Sequence, residues 1–313
     1  IQSIEDERYT DPLKLHSYFS TKAEQFRNSK PDIILVSGSP VIFDFYNNYL
    51  YPVMPDTPMV GETRSVPVNH KPLSYSFIEY VQNMPRTIDI ALSISKPKRI
   101  YLIGDATHPG SRLSMKLVEQ NLPPSVDIPI ERLDLPFNEL LEKIKDLPSD
   151  SVGFFNLIFS DGNSKRMVPE NALKQVAEVA TFPIFAFHET MIGSGATGGY
   201  VAKGEDVGIQ MMKEALMSLE HGPYTPPRIV LAKSTLLFDA NYLIKNNIDI
   251  NSLPADAEVI NKPQSLLEEY FYEFIAAIVV IIIQGILLIL LAVKNRQNLS
   301  LTQELESINL QQE

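Results

Sequence analysis

The sequence has no cysteine. Disulfides, thiolate metal sites and cysteine nucleophiles are therefore excluded, while an oxidising compartment remains permitted. A basic surplus is also missing: 27 Lys and Arg stand against 38 Asp and Glu, a formal charge of −11. Phosphate neutralisation needs cations, so a general nucleic-acid binder is excluded and no nucleic-acid partner is expected. Histidines are few. His70, His108, His188 and His221 lie far apart, and no second histidine follows His188 at i+4, so neither a zinc-protease pattern nor any other metal site is expected. No G-x-S-x-G elbow supports a nucleophilic triad from Ser37, Ser39, Asp161 and His188. Hence no catalytic residue, no cofactor and no enzyme activity are expected of the residues present. Gly193 to Gly198 does match G-x-G-x-x-G, but His188 to Ile192 separate it from the strand before, and extended chain follows. A dinucleotide loop needs a strand directly before it and a helix at its end, so this segment is expected to be a flexible crossing between lobes. The chain opens at Ile1 without a cleavable signal pattern, and its start is expected to be trimmed or incomplete.

What is present suffices for a large folded region. The 313 residues are 44% hydrophobic and 21% charged, enough for one two-lobed domain or two ordinary ones. Near the end, Phe274 to Val293 reads FIAAIVVIIIQGILLILLAV, without a charge and with one strongly polar side chain, Gln284. At about 1.5 Å per residue it spans roughly 30 Å, the hydrocarbon thickness of a bilayer. Glu268, Glu269 and Glu273 precede it, and Lys294 and Arg296 follow. The positive-inside tendency puts residues 294–313 in the cytoplasm and residues 1–273 outside, with Tyr270, Phe271 and Tyr272 as an interfacial belt. Residues 263–273 are a juxtamembrane linker. Gln284 suits a hydrogen bond across a helix pair, which makes a homodimer through the membrane helix the expected assembly. Leu301, Leu305 and Ile308 fall on one helix face and read as the start of a cytoplasmic signalling helix.

The outer region alternates strands and helices. Expected helices cover 11–28, 40–50, part of 76–95, 111–120, 137–145, 169–180 and 204–219. Expected strands cover 32–37, 57–61, 99–104, 128–133, 151–159, 183–187, 199–202 and 228–232. Short, continuous apolar runs such as DIILVS and RIYLIG fit strands buried on both faces, as parallel sheets require. The fold class is therefore α/β with parallel sheets, built from βαβ units. Ligands in such folds sit beyond the carboxyl ends of strands. The residues there are Ser37, Gly38 and Ser39; Glu62 and Thr63; Gly104 and Asp105; Ser160 and Asp161; His188 and Glu189. Small and polar, they are the candidate ligand-binding set, although Ser, Asp and Gly also serve ordinary turns. Their acidic members favour a ligand bearing an amine or several hydroxyls.

Several stretches carry a resemblance: KPDIILVSGSPVIFDF, FPIFAFHETMIGSGATGGYVA, EDVGIQMMKEALMSLEHG before TPPRIV, and NNIDINSLPADAEVINKPQSLLEEYFYEFIAAIVVIIIQGILLILLAVKNRQ. In order and spacing the chain resembles the type I periplasmic-binding-protein fold, and more narrowly the ABC transporter substrate-binding protein family, as used for the sensor region of bacterial membrane receptors. The resemblance implies one lobe of residues 1–66 with 200–224 and another of 75–196 with 226–262. It places the crossings near 67–74, 196–200 and 223–227, where Pro67, Pro72, Pro223, Pro226 and Pro227 stand. The fold opens with a strand and helix ahead of the first helix seen here, so the first lobe is expected to lack a central strand. The implied function is extracytoplasmic sensing of a small ligand (an amino acid, sugar or similar polar solute) at a bacterial inner membrane. The implied output is a histidine kinase or diguanylate cyclase. The alternative is a membrane-anchored substrate-binding component of an ABC transporter, and a further partner is a separate soluble binding protein docked on the cleft.

Overall fold

A computed structural model describes residues 12–37, 45–63, 75–79, 83–163, 165–222, 228–263 and 270–311. The chain divides into two compact units, 1–261 and 262–313. The stretch before residue 12, where the resemblance implies a missing strand, lies outside the described residues, as do Gly38, Ser39 and all five of the crossing prolines.

The first unit holds two sheets. The smaller contains β1 (Ile34–Val36), β2 (Met59–Thr63), β3 (Tyr75–Glu79) and β9 (Arg228–Leu231), in that order and all parallel. Helix α1 (Pro12–Asn28) lays Phe19 and Ala23 against one face, with Phe45, Tyr46 and Leu50 from a short π-helical turn, Tyr46–Leu50. Helix α6 (Gly204–His221) covers the other face through Val207, Met211 and Ala215 against Val60 and Ile78. Its buried Glu214 faces Arg228 at 3.5 Å.

The larger sheet runs β11-β10-β8-β7-β6-β4-β5. Its members are β4 (Arg99–Gly104), β5 (Ile130–Leu133), β6 (Ser151–Asn156), β7 (Ile184–Ala186), β8 (Gly198–Ala202), β10 (Ser234–Asp239) and β11 (Glu258–Ile260). All neighbours are parallel except β8 and β10. Alternate side chains serve opposite faces, as the two-residue strand period demands. Tyr101 and Ile103 meet α4 (Phe137–Lys145) and α5 (Pro169–Val179); Ile100 and Leu102 meet α2 (Met84–Ser95) and α3 (Pro109–Asn121). The helices form where their apolar positions recur at helical spacing: Phe137, Leu140 and Ile144 are the buried stripe of α4. Asn83 opens α2 by accepting a hydrogen bond from the Arg86 amide at 3.1 Å, and Lys96 ends it in a left-handed turn at φ 44°. After β10 come the short helix α7 (Ala240–Lys245) and β11.

The architecture is the expected α/β fold with two sheets, and most elements fall within a few residues of their sequence positions. Three strands escaped the sequence reading. Tyr75–Glu79 lies at the start of the stretch expected to contain a helix, and Ser234–Asp239 and Glu258–Ile260 lie beyond the last strand expected. The ladders set which sheet each strand joins. Tyr75–Glu79 and Arg228–Leu231 pair within the smaller sheet, while β8 pairs with β10 in the larger one, Val201 opposite Thr235. The glycine segment 193–198 is not a crossing. It is packed inside the larger lobe, where a Cβ on Gly195 would come within 2.9 Å of the Leu173 and Ala177 side chains. Close approach of backbone to helix is what needs glycine here.

The second unit is described by helix α8 (Phe271–Gln311), 41 residues without a break. It contains a segment long and apolar enough to cross a membrane.

Candidate functional site

The order β6-β4-β5 means that the chain leaves β4 toward one neighbour and returns on the other side of it. After β4 the chain enters α3 on one face of the sheet; after β6 it enters α5 on the opposite face. The two connections diverge, and a crevice opens at the carboxyl ends of β4 and β6, the switch point of a doubly wound sheet. Register makes the neighbours: Gly104 is paired with Asn156.

A cavity of about 620 Å³ occupies this position. Its wall is largely apolar, with Met84 and Pro85 opening α2, Leu113 and Leu117 on α3, and Leu157 and Phe159 after β6. Ser111, Ser114, Asn121 and Asn156 supply polar groups, and His108 and His188 supply imidazoles; among the described residues the lining carries no Asp, Glu, Lys or Arg. Leu113 is 57% and Leu117 36% exposed, so α3 turns apolar surface toward the cavity.

The polar floor is rigid. Asn156 is buried, donates from Nδ2 to the Phe154 carbonyl at 2.9 Å, and accepts at Oδ1 from the Ser114 hydroxyl at 2.8 Å. The Ser111 hydroxyl donates to the Asn156 carbonyl and accepts from the Asp105 amide at 2.9 Å. Leu157 follows at φ 36°, a backbone that bulky side chains seldom adopt. The His108 ring packs on Phe159 with centroids 4.4 Å apart, and its Nδ1 is buried without a hydrogen-bond partner. His108 also gives α3 no side-chain cap, so the first-turn amides at Gly110 and Ser111, both lining the cavity, carry the partial positive charge of a helix start.

Of the residues expected from sequence, His188 lines this cavity. Gly104 is structural: a Cβ there would sit 2.8 Å from the Ser111 hydroxyl and 2.9 Å from the Met115 sulfur. Asp105 is turned into the wall. Its Oδ1 accepts from the Thr107 amide at 2.8 Å, the Thr107 hydroxyl at 2.6 Å and the His108 amide at 3.2 Å. Its Oδ2 accepts from the Phe159 and Ser160 amides at 3.3 and 3.0 Å. Burial pushes this carboxyl up, but the bonds from Thr107, Phe159 and His108 outweigh it and hold the group below the usual carboxylate range. Ser160 accepts from the Gly162 amide, and Asp161 accepts from Asn163 and Lys165, so both serve their own turn. Glu189 accepts from the Gly204 amide at 2.5 Å and caps α6 where the chain crosses between sheets. In the smaller lobe, register sets Val36 opposite Gly61. Ser37 and Glu62 follow side by side, and the Ser37 hydroxyl donates to Glu62 at 2.6 Å. The Thr63 side chain, with Gly38 and Ser39, lies outside the described residues.

Sequence reasoning missed Met84, Ser114, Leu117, Asn121, Asn156 and Phe159. The signal available was HPGSRLSMKLVEQN, whose leucines at 113 and 117 stand four apart among polar residues, off the buried face of Met115 and Val118. Among the described residues no cluster of three or more potential metal ligands occurs.

No family model matches the chain, and no curated protein does. Solved structures do. The ligand-free, open structure of a substrate binding protein with adhesive properties from Clostridium difficile aligns with TM-score 0.57 at 13% identity, over 79% of this chain and 84% of that one. An ABC domain in complex with L-Trp from Streptococcus pneumonia aligns with TM-score 0.53 at 11% identity, over 78% and 83%. A conserved domain protein from Vibrio cholerae aligns with TM-score 0.51 at 13% identity, over 78% and 83%. At such identities the likeness establishes architecture, and the chain has the two-lobed α/β fold of periplasmic substrate-binding proteins, followed by one long apolar helix.

Proposed function

We propose that this chain is the extracytoplasmic, ligand-sensing region of a single-pass membrane receptor at a bacterial inner membrane. A small ligand seats in the 620 Å³ cavity at the β4–β6 switch point, and the smaller lobe, through Ser37 and Glu62, closes over it. The observation that carries this reading is the cavity's place, where the two chain connections diverge at the carboxyl edge of the sheet.

The wall chemistry changes the expected ligand. Asp105 and Asp161 are consumed by backbone amides, so among the described residues the cavity wall itself offers a solute no carboxylate. An apolar or aromatic body fits Met84, Leu113, Leu117 and Phe159, and a carboxylate fits the α3 start beside Ser111 and Ser114. An aromatic amino acid combines both, with its ammonium left to Glu62 as the smaller lobe closes. The L-Trp bound to the structurally similar Streptococcus domain has this form. Differential contact with the closed state shifts its population, and that shift is the signal.

A thermal-shift panel of amino acids, sugars and nucleosides on the whole chain tests the ligand class. Stabilisation by aromatic carboxylates above sugars is expected; stabilisation by sugars alone would overturn the assignment. The transport reading is kept because the neighbours include a substrate binding protein and an ABC domain. Against it, α8 continues as helix well past Val293, more than an anchor needs. Ligand-dependent change at the Gln303 end of α8 favours signalling, and loss of solute uptake on deletion favours transport.

A further inference from the structure

We propose that α8 pairs with a second copy of itself in a parallel dimer, along one heptad seam that joins Gln284 in the lipid to Leu301, Leu305 and Ile308 beyond it. The inference rests on the reading that Phe274 to Val293 crosses a membrane, and it names the partner face of that helix.

Three observations carry it. First, α8 is unbroken from Phe271 to Gln311, so its helical phase passes from the apolar segment into the polar one without a reset. Second, Leu301, Leu305 and Ile308 are spaced four and three apart, the d–a–d steps of a heptad. Counting back in sevens from Leu305 reaches Asn298, Leu291, Gln284 and Ala277; from Leu301 it reaches Lys294, Leu287 and Val280. The one strongly polar side chain of the span therefore falls on the stripe set by the leucines beyond it. Only two of seven heptad positions lie on such a seam, so the match is not a foregone one. A straight helix drifts about 20° per heptad, and a left-handed supercoil of two copies removes that drift.

Third, Gln284 is exposed in its own unit, and no residue of the apolar segment is buried there. A primary amide brings two donors and an acceptor oxygen, and hydrocarbon offers neither water nor a partner for them. A second copy presents the same amide at the same depth, and the two side chains satisfy one another. Polar residues at single seam positions, here Gln284 and Asn298, fix register and strand number in paired helices. Lys294 stands where the seam leaves the lipid, and its long stem lets the ammonium reach the headgroups.

Because the chain has no cysteine, single-cysteine variants report without background. In membranes holding the whole chain, oxidation should link Val280→Cys, Leu287→Cys, Leu291→Cys and Leu301→Cys into dimers. Ile282→Cys, Ile289→Cys and Gln303→Cys, on the opposite face, should stay monomeric. Linking without this phase, or strongest at positions 282, 289 and 303, would overturn the seam. An impermeant maleimide on the same variants tests the membrane reading separately. Protection of positions 282 and 289 upholds it, and labelling of them refutes both it and the seam. Gln284→Leu should weaken dimerisation about threefold to tenfold, the range of an interhelical amide bond in lipid, while Gln284→Asn retains it. An unchanged Gln284→Leu dimer would contradict the role given to the amide.

Discussion

The two lobes use the same βαβ grammar and differ in how completely they are covered. Every residue of β6 is buried, and so are all of β4 after Arg99. In the smaller lobe, Leu35 on β1 and Ile229 and Leu231 on β9 are exposed. The outer face of α6 also leaves Ile209, Met212, Leu216 and Leu219 exposed. Covered strands hold most of the apolar burial, and apolar burial is the main favourable term in folding. The central strands of the larger lobe are thus the rigid part beside the cavity, and the edge strands β1 and β9 of the smaller lobe are where local opening is cheap. The proposed closure on a ligand would use that division: a firm floor to bind and a looser edge to move.

The most damaging way to break the comparison is at β8. A Cβ on Gly199 would lie 2.1 Å from the Ala186 carbonyl oxygen, so Gly199→Val should cost more than about 4 kcal/mol and unfold the larger lobe, as loss of the cooperative transition in urea would show. Next comes Phe154, fully buried among Phe185 and Phe187; Phe154→Ala should cost about 3–5 kcal/mol by the same measurement.

Asp105→Asn should cost about 2–3 kcal/mol, since a charged acceptor of several amides becomes neutral. The sign with pH follows from its lowered folded-state value. The stabilisation is full above the ordinary carboxylate range and is lost as pH falls through the depressed value. Wild type should therefore lose stability between neutral pH and about pH 3, and Asp105→Asn should lose less over that interval. The smallest effect is expected at the exposed β9 position: Leu231→Thr should stay within about 0.5 kcal/mol. Hydrogen exchange sharpens the contrast without mutation, with β6 amides expected to exchange at the slow, global rate and those of β1 and β9 faster.

The fold was largely legible in the sequence because covered strands announce themselves. RIYLIG, SVGFFN and PIFAF are continuous apolar runs, and the helices between them repeat at helical spacing. Tyr75–Glu79 was hidden because YSFIE adjoins a helix and carries no turn signal of its own. The sheet membership of Tyr75–Glu79 and Arg228–Leu231 was not legible, since proline punctuation marks loops and says nothing of which sheet a strand joins. The site was legible only in location. Strand ends were the right place, but whether Asp105 faces a ligand or its own loop depends on Thr107 and Phe159, one near in sequence and one far. The apolar wall from Leu113 and Leu117 left only a faint signal, two leucines off the buried face of α3, because a helix stripe reads alike whether a core or a ligand covers it.

The account turns on ligand binding at the β4–β6 switch point. Calorimetric titration of the whole chain with L-tryptophan and other aromatic amino acids, beside Leu117→Trp, tests it most directly. Heat of binding is predicted for wild type and its loss in Leu117→Trp, whose indole intrudes on the apolar wall where the ligand's aromatic body would lie, with the folding transition unchanged. Undiminished binding by Leu117→Trp, or no heat from any of these amino acids with wild type, would contradict it.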